Sequence, residues 1–321
     1  MQSTSSRRAF VVGAHLPQGG AAMAYHLGRI LEEQFGFAPI AVQVNAETGE
    51  HGVRPYGKRF PIMTIAEMEK AIGPADVLVC NPSFSRFRFG LRLPGLKICY
   101  VQGFTTYGLL DRFDHYVAVS GVVARYLKAI YGLEPRVISP FVDTAAFPRQ
   151  VPWWSRPPGS ILTFVKGEPA AIDAIMGLIR KTLARDAPDI DLGTELKGIS
   201  MPQAELLRRV GAHRHLLMIS PAEGFGLLPL EAMGMGATVA GLDGFGGRDY
   251  MRPGENCAVA AYPDIEAVAA NLIGLVRAPD YAARLAEAGQ ATAAQFTHER
   301  FRRAWIEEFQ RIFAAESGMS R

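Results

Sequence analysis

A chain of 321 residues exceeds one ordinary hydrophobic core and suits two α/β domains. Its composition, 49% hydrophobic and 20% charged, excludes intrinsic disorder, and a formal charge of only +3 leaves no extended basic surface that demands nucleic acid. The same mild positive excess is compatible with an anionic membrane surface or a phosphate-bearing ligand.

Met1 to Arg8 is polar and lacks the apolar stretch of a signal peptide. Ala9-Phe10-Val11-Val12 predicts a first strand, Gly13 to Gly20 a loop, and Ala21 to Phe35 a helix with Tyr25, Leu27, Ile30 and Leu31 on its apolar side. Further strands are predicted at Ile40 to Val44, Val77 to Cys80, Ile98 to Val101, Tyr116 to Val119 and Val137-Ile138. Between the last two, Val122 to Tyr131 reads as a helix closed by a left-handed cap at Gly132. Phe147 to Gly159 then holds four prolines and two tryptophans without periodicity, which marks a linker.

A second alternating series follows. It comprises strands at Ile161 to Val165, Leu216 to Ile219 and Thr238 to Ala240, with helices from about Ala170 to Ala184 and from Leu228 to Met235. Helices are also predicted at Asp264 to Val276 and Pro279 to Ala294, and a terminal one at Arg300 to Ala315 carries Phe301, Trp305, Phe309 and Ile312 on one face. The expected fold is α/β, two doubly wound Rossmann-like domains with ligands at the carboxyl ends of the strands. No stretch approaches the roughly 18 apolar residues of a membrane span. Cys80, Cys99 and Cys257 have no paired spacing and lie in or beside apolar runs, as buried thiols in a reducing compartment do. The expectation is a cytoplasmic protein with at most a peripheral contact at the inner membrane face.

The most informative stretch is Ser220-Pro221-Ala222-Glu223-Gly224-Phe225-Gly226-Leu227-Leu228-Pro229-Leu230-Glu231-Ala232-Met233, between a strand and a helix. Gly224 and Gly226 allow a sharp turn and a close approach to a ligand, and Pro229 suits a first helical turn. Unpaired amides near Gly226, Leu227 and Leu228, with a helix dipole behind them, would bind a diphosphate. Glu231, about one turn into the helix, can accept from paired ribose hydroxyls, while Glu223 lies where a sugar beyond the diphosphate would sit. The same residues also describe a plain glycine-bounded loop, with Glu223 solvated and Glu231 stabilising the helix start.

This segment resembles the E-x7-E signature of family-4 retaining glycosyltransferases, down to the E-G-F-G-L turn and the E-A-M that follows. The likeness extends to Tyr116-Val117-Ala118-Val119-Ser120, Ala124, Leu127, Tyr131-Gly132, Val137-Ile138, Pro140 and Val142-Asp143, and downstream to Gly246-Gly247, Gly254 and the Asp264 to Val276 helix. It is good over Val117 to Asp143 and Glu205 to Val276 and loose elsewhere.

The resemblance implies a GT-B architecture: an N-terminal acceptor domain at residues 1–147, a nucleotide-sugar donor domain at 148–295, and a terminal helix at 296–321 that returns to the first domain. It implies a retaining transfer from a nucleotide-diphosphate sugar, the donor substrate, to a glycan, lipid-linked or small-molecule acceptor, without metal or other cofactor. Gly19 and Gly20 are similar to the family's N-domain glycine loop. Donor contacts are implied at Gly224, Phe225, Gly226, Leu227 and Glu231, and base contacts through the backbone near Lys197-Gly198-Ile199.

Where the family pairs an arginine with a lysine at the diphosphate, this chain offers Lys166 alone, which also reads as a solvated strand-end charge. Arg86, Arg88 and Arg248 are further arginines without supporting spacing. Gln102 stands where many relatives carry a histidine, either orienting a sugar hydroxyl or satisfying backbone at a strand end. Tyr250 stands where a glutamate is frequent. These departures keep open a non-catalytic nucleotide-sugar binder, or an epimerase or hydrolase of the same fold. Asp189-Ile190-Asp191, after Pro188 and before a short strand, reads as a solvated entry to the second sheet rather than a metal motif, and His213 with His215 as a surface pair.

Overall fold

The computed structural model describes residues 7–14, 19–43, 59–81, 87–103, 112–197 and 201–319. The chain divides into two units, Met1–Pro140 with Glu299–Arg321, and Phe141–His298.

In the first unit the elements run β1 (Arg8–Val12), α1 (Gly19–Phe35), β2 (Ala38–Gln43), β3 (Ile62–Thr64), α2 (Ile65–Ala71), β4 (Val77–Cys80), α3 (Phe89–Arg92), β5 (Leu96–Val101), β6 (His115–Ala118), α4 (Gly121–Tyr131) and β7 (Arg136–Val137). They form a parallel sheet in the order β3-β2-β1-β4-β5-β6-β7. A central parallel strand is covered on both faces, which is why Val77–Cys80 is an unbroken apolar run and wholly buried. The four apolar residues predicted on α1 are all buried. α4 opens on Ser120, whose Oγ accepts the Val123 N–H at 3.2 Å, and closes on Gly132 at φ +67°.

The second unit continues with β8 (Ile161–Val165), α5 (Pro169–Asp186), β9 (Thr194–Lys197), α6 (Gln203–Ala212), β10 (His215–Ile219), α7 (Leu227–Gly234), β11 (Thr238–Leu242), β12 (Ala258–Ala260), α8 (Ile265–Arg277) and α9 (Pro279–Ala293). Its parallel sheet runs β12-β11-β10-β8-β9. Chain order reverses between β8 and β10, so the crossovers leave a crevice at their carboxyl ends. α5 starts on Glu168, whose carboxylate accepts the Ala171 N–H at 2.9 Å, with Pro169 in its first turn.

The proline-rich stretch is fastened to this unit. Arg156, 3% exposed, donates to the carbonyls of Met235 (2.6 Å) and Gly236 (3.0 Å) just past α7, and to those of His213 and Val151. Burial lowers its guanidinium to about 10, still charged at neutral pH. One planar fork thus satisfies the carbonyl end of α7 and fixes the irregular chain, so missing periodicity does not mean a loose tether.

α10 (His298–Met319) closes the chain on the first unit. Its predicted face is buried there: Trp305 meets Tyr100 edge-on at 5.1 Å, and Phe309 meets Phe35 at 5.8 Å. Several elements differ from the sequence expectation. α1 begins at Gly19, so Gly19 and Gly20 form its first turn rather than the end of a loop. β3, α2, α6 and β12 were not predicted; the strands have three residues each, and α6 buries only Leu207, Val210 and Gly211.

Candidate functional site

Lys166 is the first residue beyond β8, tied to β10 by its N–H to the Ile219 carbonyl at 2.9 Å. Beyond β10, Glu223 is held by main chain on both sides: its N–H donates to Gly244 O at 2.7 Å and its carbonyl accepts from Gly246 N–H at 3.1 Å. The two side chains meet, with Lys166 Nζ 2.9 and 3.0 Å from the Glu223 oxygens, and Ser220 Oγ donates to Oε1 at 2.9 Å. The lysine side chain remains 58% exposed against 16% for the glutamate. So exposed a pair contributes little to stability, and both groups can exchange each other for a ligand at small cost.

Three residues on, Gly226 takes φ +86°, a conformation that disfavours any side chain, and heads α7. The first turn has no side-chain cap, and Pro229 brings no N–H. Among the described residues, none accepts a hydrogen bond from the N–H of Gly226, Leu227 or Leu228. Three amides at the positive end of a helix can therefore take an anion. Phe225 is buried against Tyr250 (5.2 Å) and Phe296 (5.7 Å), so any part it plays in ligand binding falls to its backbone. Glu231, 8% exposed, accepts a hydrogen bond from Gln203 Nε2 on α6.

A second loop forms the wall beside Glu223. A Cβ on Gly246 would lie 2.4 Å from the Gly224 carbonyl group, so only glycine lets the two loops touch. Phe245 sits at φ +63°, ψ −53°, a strained conformation for a non-glycine residue; Asp243 accepts its N–H at 3.0 Å, and Gly246 N–H returns to Gly244 O at 2.8 Å. Asp243 also accepts from Arg248 Nε at 2.6 Å, and that guanidinium lies 4.7 Å over the Phe245 ring. Gln203, Asp243 and the direction of Tyr250 are absent from the sequence reading; the glycine-rich run Gly244 to Gly247 was the available signal.

In the first unit, Gln102 and Gly20 come together at the mouth of β5 and the head of α1. Gln102 Nε2 donates to Gly20 O at 3.0 Å, and a Cβ on Gly20 would fall 2.3 Å from Gln102 Oε1. Gln102 therefore satisfies backbone, one of the two readings its sequence position left open. Gly198 and Arg86 lie outside the described residues.

Residues 202–292 match the family of glycosyl transferases group 1. No curated protein sequence matches the chain. Solved structures do. A sucrose-phosphate synthase from Thermosynechococcus elongatus is 14% identical at a TM-score of 0.70, covering 96% of this chain and 100% of that one. Anabaena HepE in complex with UDP and glucose is 13% identical at 0.69, covering 95% and 99%. The lipopolysaccharide outer core galactosyltransferase WaaB is 14% identical at 0.64, covering 96% and 99%. The chain has the GT-B fold.

Within that GT-B chain, the matched segment contains Glu223, the Gly226 turn, Glu231 and the Gly246 loop, whereas Lys166 and Gln102 lie upstream of it. Two other sequence features resolve separately. Asp189 pairs with Arg277, and Asp191 accepts the Gly193 N–H at 3.0 Å; among the described residues no group of three or more His, Cys, Asp or Glu side chains could hold a metal. His215 is not the surface residue expected. It opens β10, a strand covered on both faces, and is 1% exposed with Nδ1 unpartnered. Burial, with the neighbouring Arg214 charge, pushes its imidazole down to about 4. No helix among the described residues is long and apolar enough to cross a membrane.

Proposed function

We propose that the chain is a family-4 retaining glycosyltransferase that moves a sugar from a nucleoside-diphosphate donor to a glycan, lipid-linked or small-molecule acceptor. The observation that carries this reading is the Lys166–Glu223 pair at the β8/β10 crevice, beside the three open amides that head α7.

Both charges have a natural task there. The amides of Gly226, Leu227 and Leu228 would hold one phosphoryl group, and Lys166 would leave Glu223 to offset the charge that grows on the departing diphosphate oxygen. Glu223, released, would accept hydroxyls of the transferred hexose or deoxyhexose. Glu231 would take the paired ribose hydroxyls, exchanging its contact with Gln203. No enzyme nucleophile is needed if the acceptor attacks on the face the diphosphate leaves, its proton passing to that leaving group, and retention follows. The charge is supplied by a side chain and amides, without a metal ion. HepE holds UDP and glucose in its own structure, which recommends UDP as the first nucleotide to test. Gly19, Gly20 and Gln102 form the corresponding mouth of the first unit, and Gly198 precedes α6; we assign these four to ligand binding on the resemblance alone.

Thermal-shift screening of nucleotides and nucleotide sugars should give stabilisation by a diphosphate form, since a ligand stabilises the state it binds. Replacement of the Glu231 carboxylate in Glu231→Ala should then weaken that nucleotide on the order of tenfold or more, by loss of charge-assisted hydrogen bonds. Anomeric proton couplings of the product report retention or inversion. An inverted product, or affinity for nucleoside diphosphates untouched by Glu231→Ala, would overturn the assignment. A non-catalytic binder is the second reading. It is favoured by Lys166 standing without a neighbouring arginine and by the Arg248 Nε already engaged with Asp243; donor binding without turnover across a broad acceptor panel would establish it.

A further inference from the structure

Tyr250 is 3% exposed, yet its hydroxyl does not merely fill the core. It donates to the carbonyl of Gly226 at 2.5 Å. Gly226 is the N-cap of α7, so the phenol holds the carbonyl at which the first helical turn begins. The turn needs such a brace, because its cap is a glycine without a side chain to offer and its third helical residue is proline.

The phenol is itself fixed. Its ring packs against Phe225 and Phe296, and its backbone carbonyl accepts from Asn256 Nδ2 at 2.9 Å, the same amide that donates to Thr292 Oγ1. Its contact with the turn is close: a Cβ on Gly226 would lie 3.2 Å from the Tyr250 oxygen. Burial, reinforced by the carboxylates of Glu223 and Glu231, raises the phenol well above its usual range, so it stays protonated and remains a donor.

We infer that Tyr250 is a positioning residue for the donor's phosphates: its hydroxyl locks the left-handed Gly226 turn so that the amides of Gly226, Leu227 and Leu228 converge on one phosphoryl group. The inference rests on the donor-site reading above. Its specific content is a division of labour, since Tyr250 acts on phosphate affinity and leaves nucleoside affinity alone.

Tyr250→Phe keeps the ring and removes only the hydroxyl. UDP binding, by calorimetry, should weaken about tenfold, the scale of one lost hydrogen bond at a preorganised site, while uridine binding, by NMR titration, stays within about twofold. Gly226→Ala presses a methyl on the same oxygen and also strains the turn at φ +86°, so it should give at least as large a UDP-selective loss with uridine binding unchanged. It covers the case in which Tyr250→Phe fails to fold. Equal weakening of uridine and UDP, or no weakening of UDP in the folded variants, overturns the inference. A wild-type protein that binds neither UDP nor any other nucleoside diphosphate instead overturns the donor-site reading beneath it.

Discussion

Both sheets carry loops at the carboxyl ends of their strands and fill them with opposite chemistry. In the first unit the contact is neutral: Gln102 donates to the Gly20 carbonyl, amide to backbone. In the second it is ionic, with Lys166 on Glu223, beside amides that no described residue uses. Topology provides a crevice in both cases, and among the described residues the ionic contact is the one in the second unit, where a ligand can recruit it. A GT-B fold thus says where a ligand sits; the side chains decide which crevice handles the charged part of it.

The largest expected effect tests that asymmetry directly. Lys166→Ala should lower kcat about 10²- to 10³-fold with a smaller change in KM, the usual result of removing one group that stabilises charge in the transition state. Gln102→Ala should cost less than about tenfold, because its amide is already spent on Gly20. Steady-state kinetics of both variants decide the matter, and comparable losses would erase the distinction between the two mouths.

How much of this was legible depended on how far apart in sequence the partners lie. Glu223, Gly226, Pro229 and Glu231 share one turn and a helix start, so local rules of backbone and capping exposed them. Lys166 became a candidate through the family resemblance, its place at a strand end being equally that of a solvated charge, and its contact with Glu223 spans 57 positions. Gln203 likewise reaches Glu231 across 28 positions, and Tyr250 reaches Gly226 across 24. Such pairs are made by crossovers between strands, and no window of the sequence contains both members. The fold class was readable because alternating apolar runs and helices recur along the chain. β3 and β12, three residues each, fall below any periodicity. The capping box of Thr64 and Glu67 at α2 was present in the sequence and went unread.

The foot of β10 sharpens the comparison within a single strand. Its carboxyl end leads to the ion pair, while its first residue, His215, is kept neutral by burial at about 4. A histidine whose folded value lies below the ordinary 6.5 leaves the unfolded chain binding more protons between those two values. Its contribution is complete above pH 6.5 and is lost as pH falls toward 4. Going from pH 8 to pH 5 should therefore remove about 2 kcal/mol of unfolding free energy through this one group. Urea titrations of wild type and His215→Leu at both pH values isolate it. The variant should lose less on acidification by that amount, and parallel losses would show that His215 titrates normally.

The smallest effect is a reversal of sign at the neutral mouth. Alanine at position 20 would bring a methyl to 2.3 Å from Gln102 Oε1, so the glutamine must swing away and abandon its bond to Gly20 O. Because the obstacle is the end of a flexible side chain, Gly20→Ala should destabilise by no more than about 1 kcal/mol. The backbone itself does not object: Gly20 lies in the first turn of α1 without positive φ, where alanine favours the helix by up to about 1 kcal/mol. In a Gln102→Ala background the collision is gone and only the helical preference remains. Gly20→Ala should then be neutral or stabilising in chemical denaturation. If it destabilises both backgrounds equally, the glycine is required by something other than Gln102, and the first turn of α1 becomes the feature to explain.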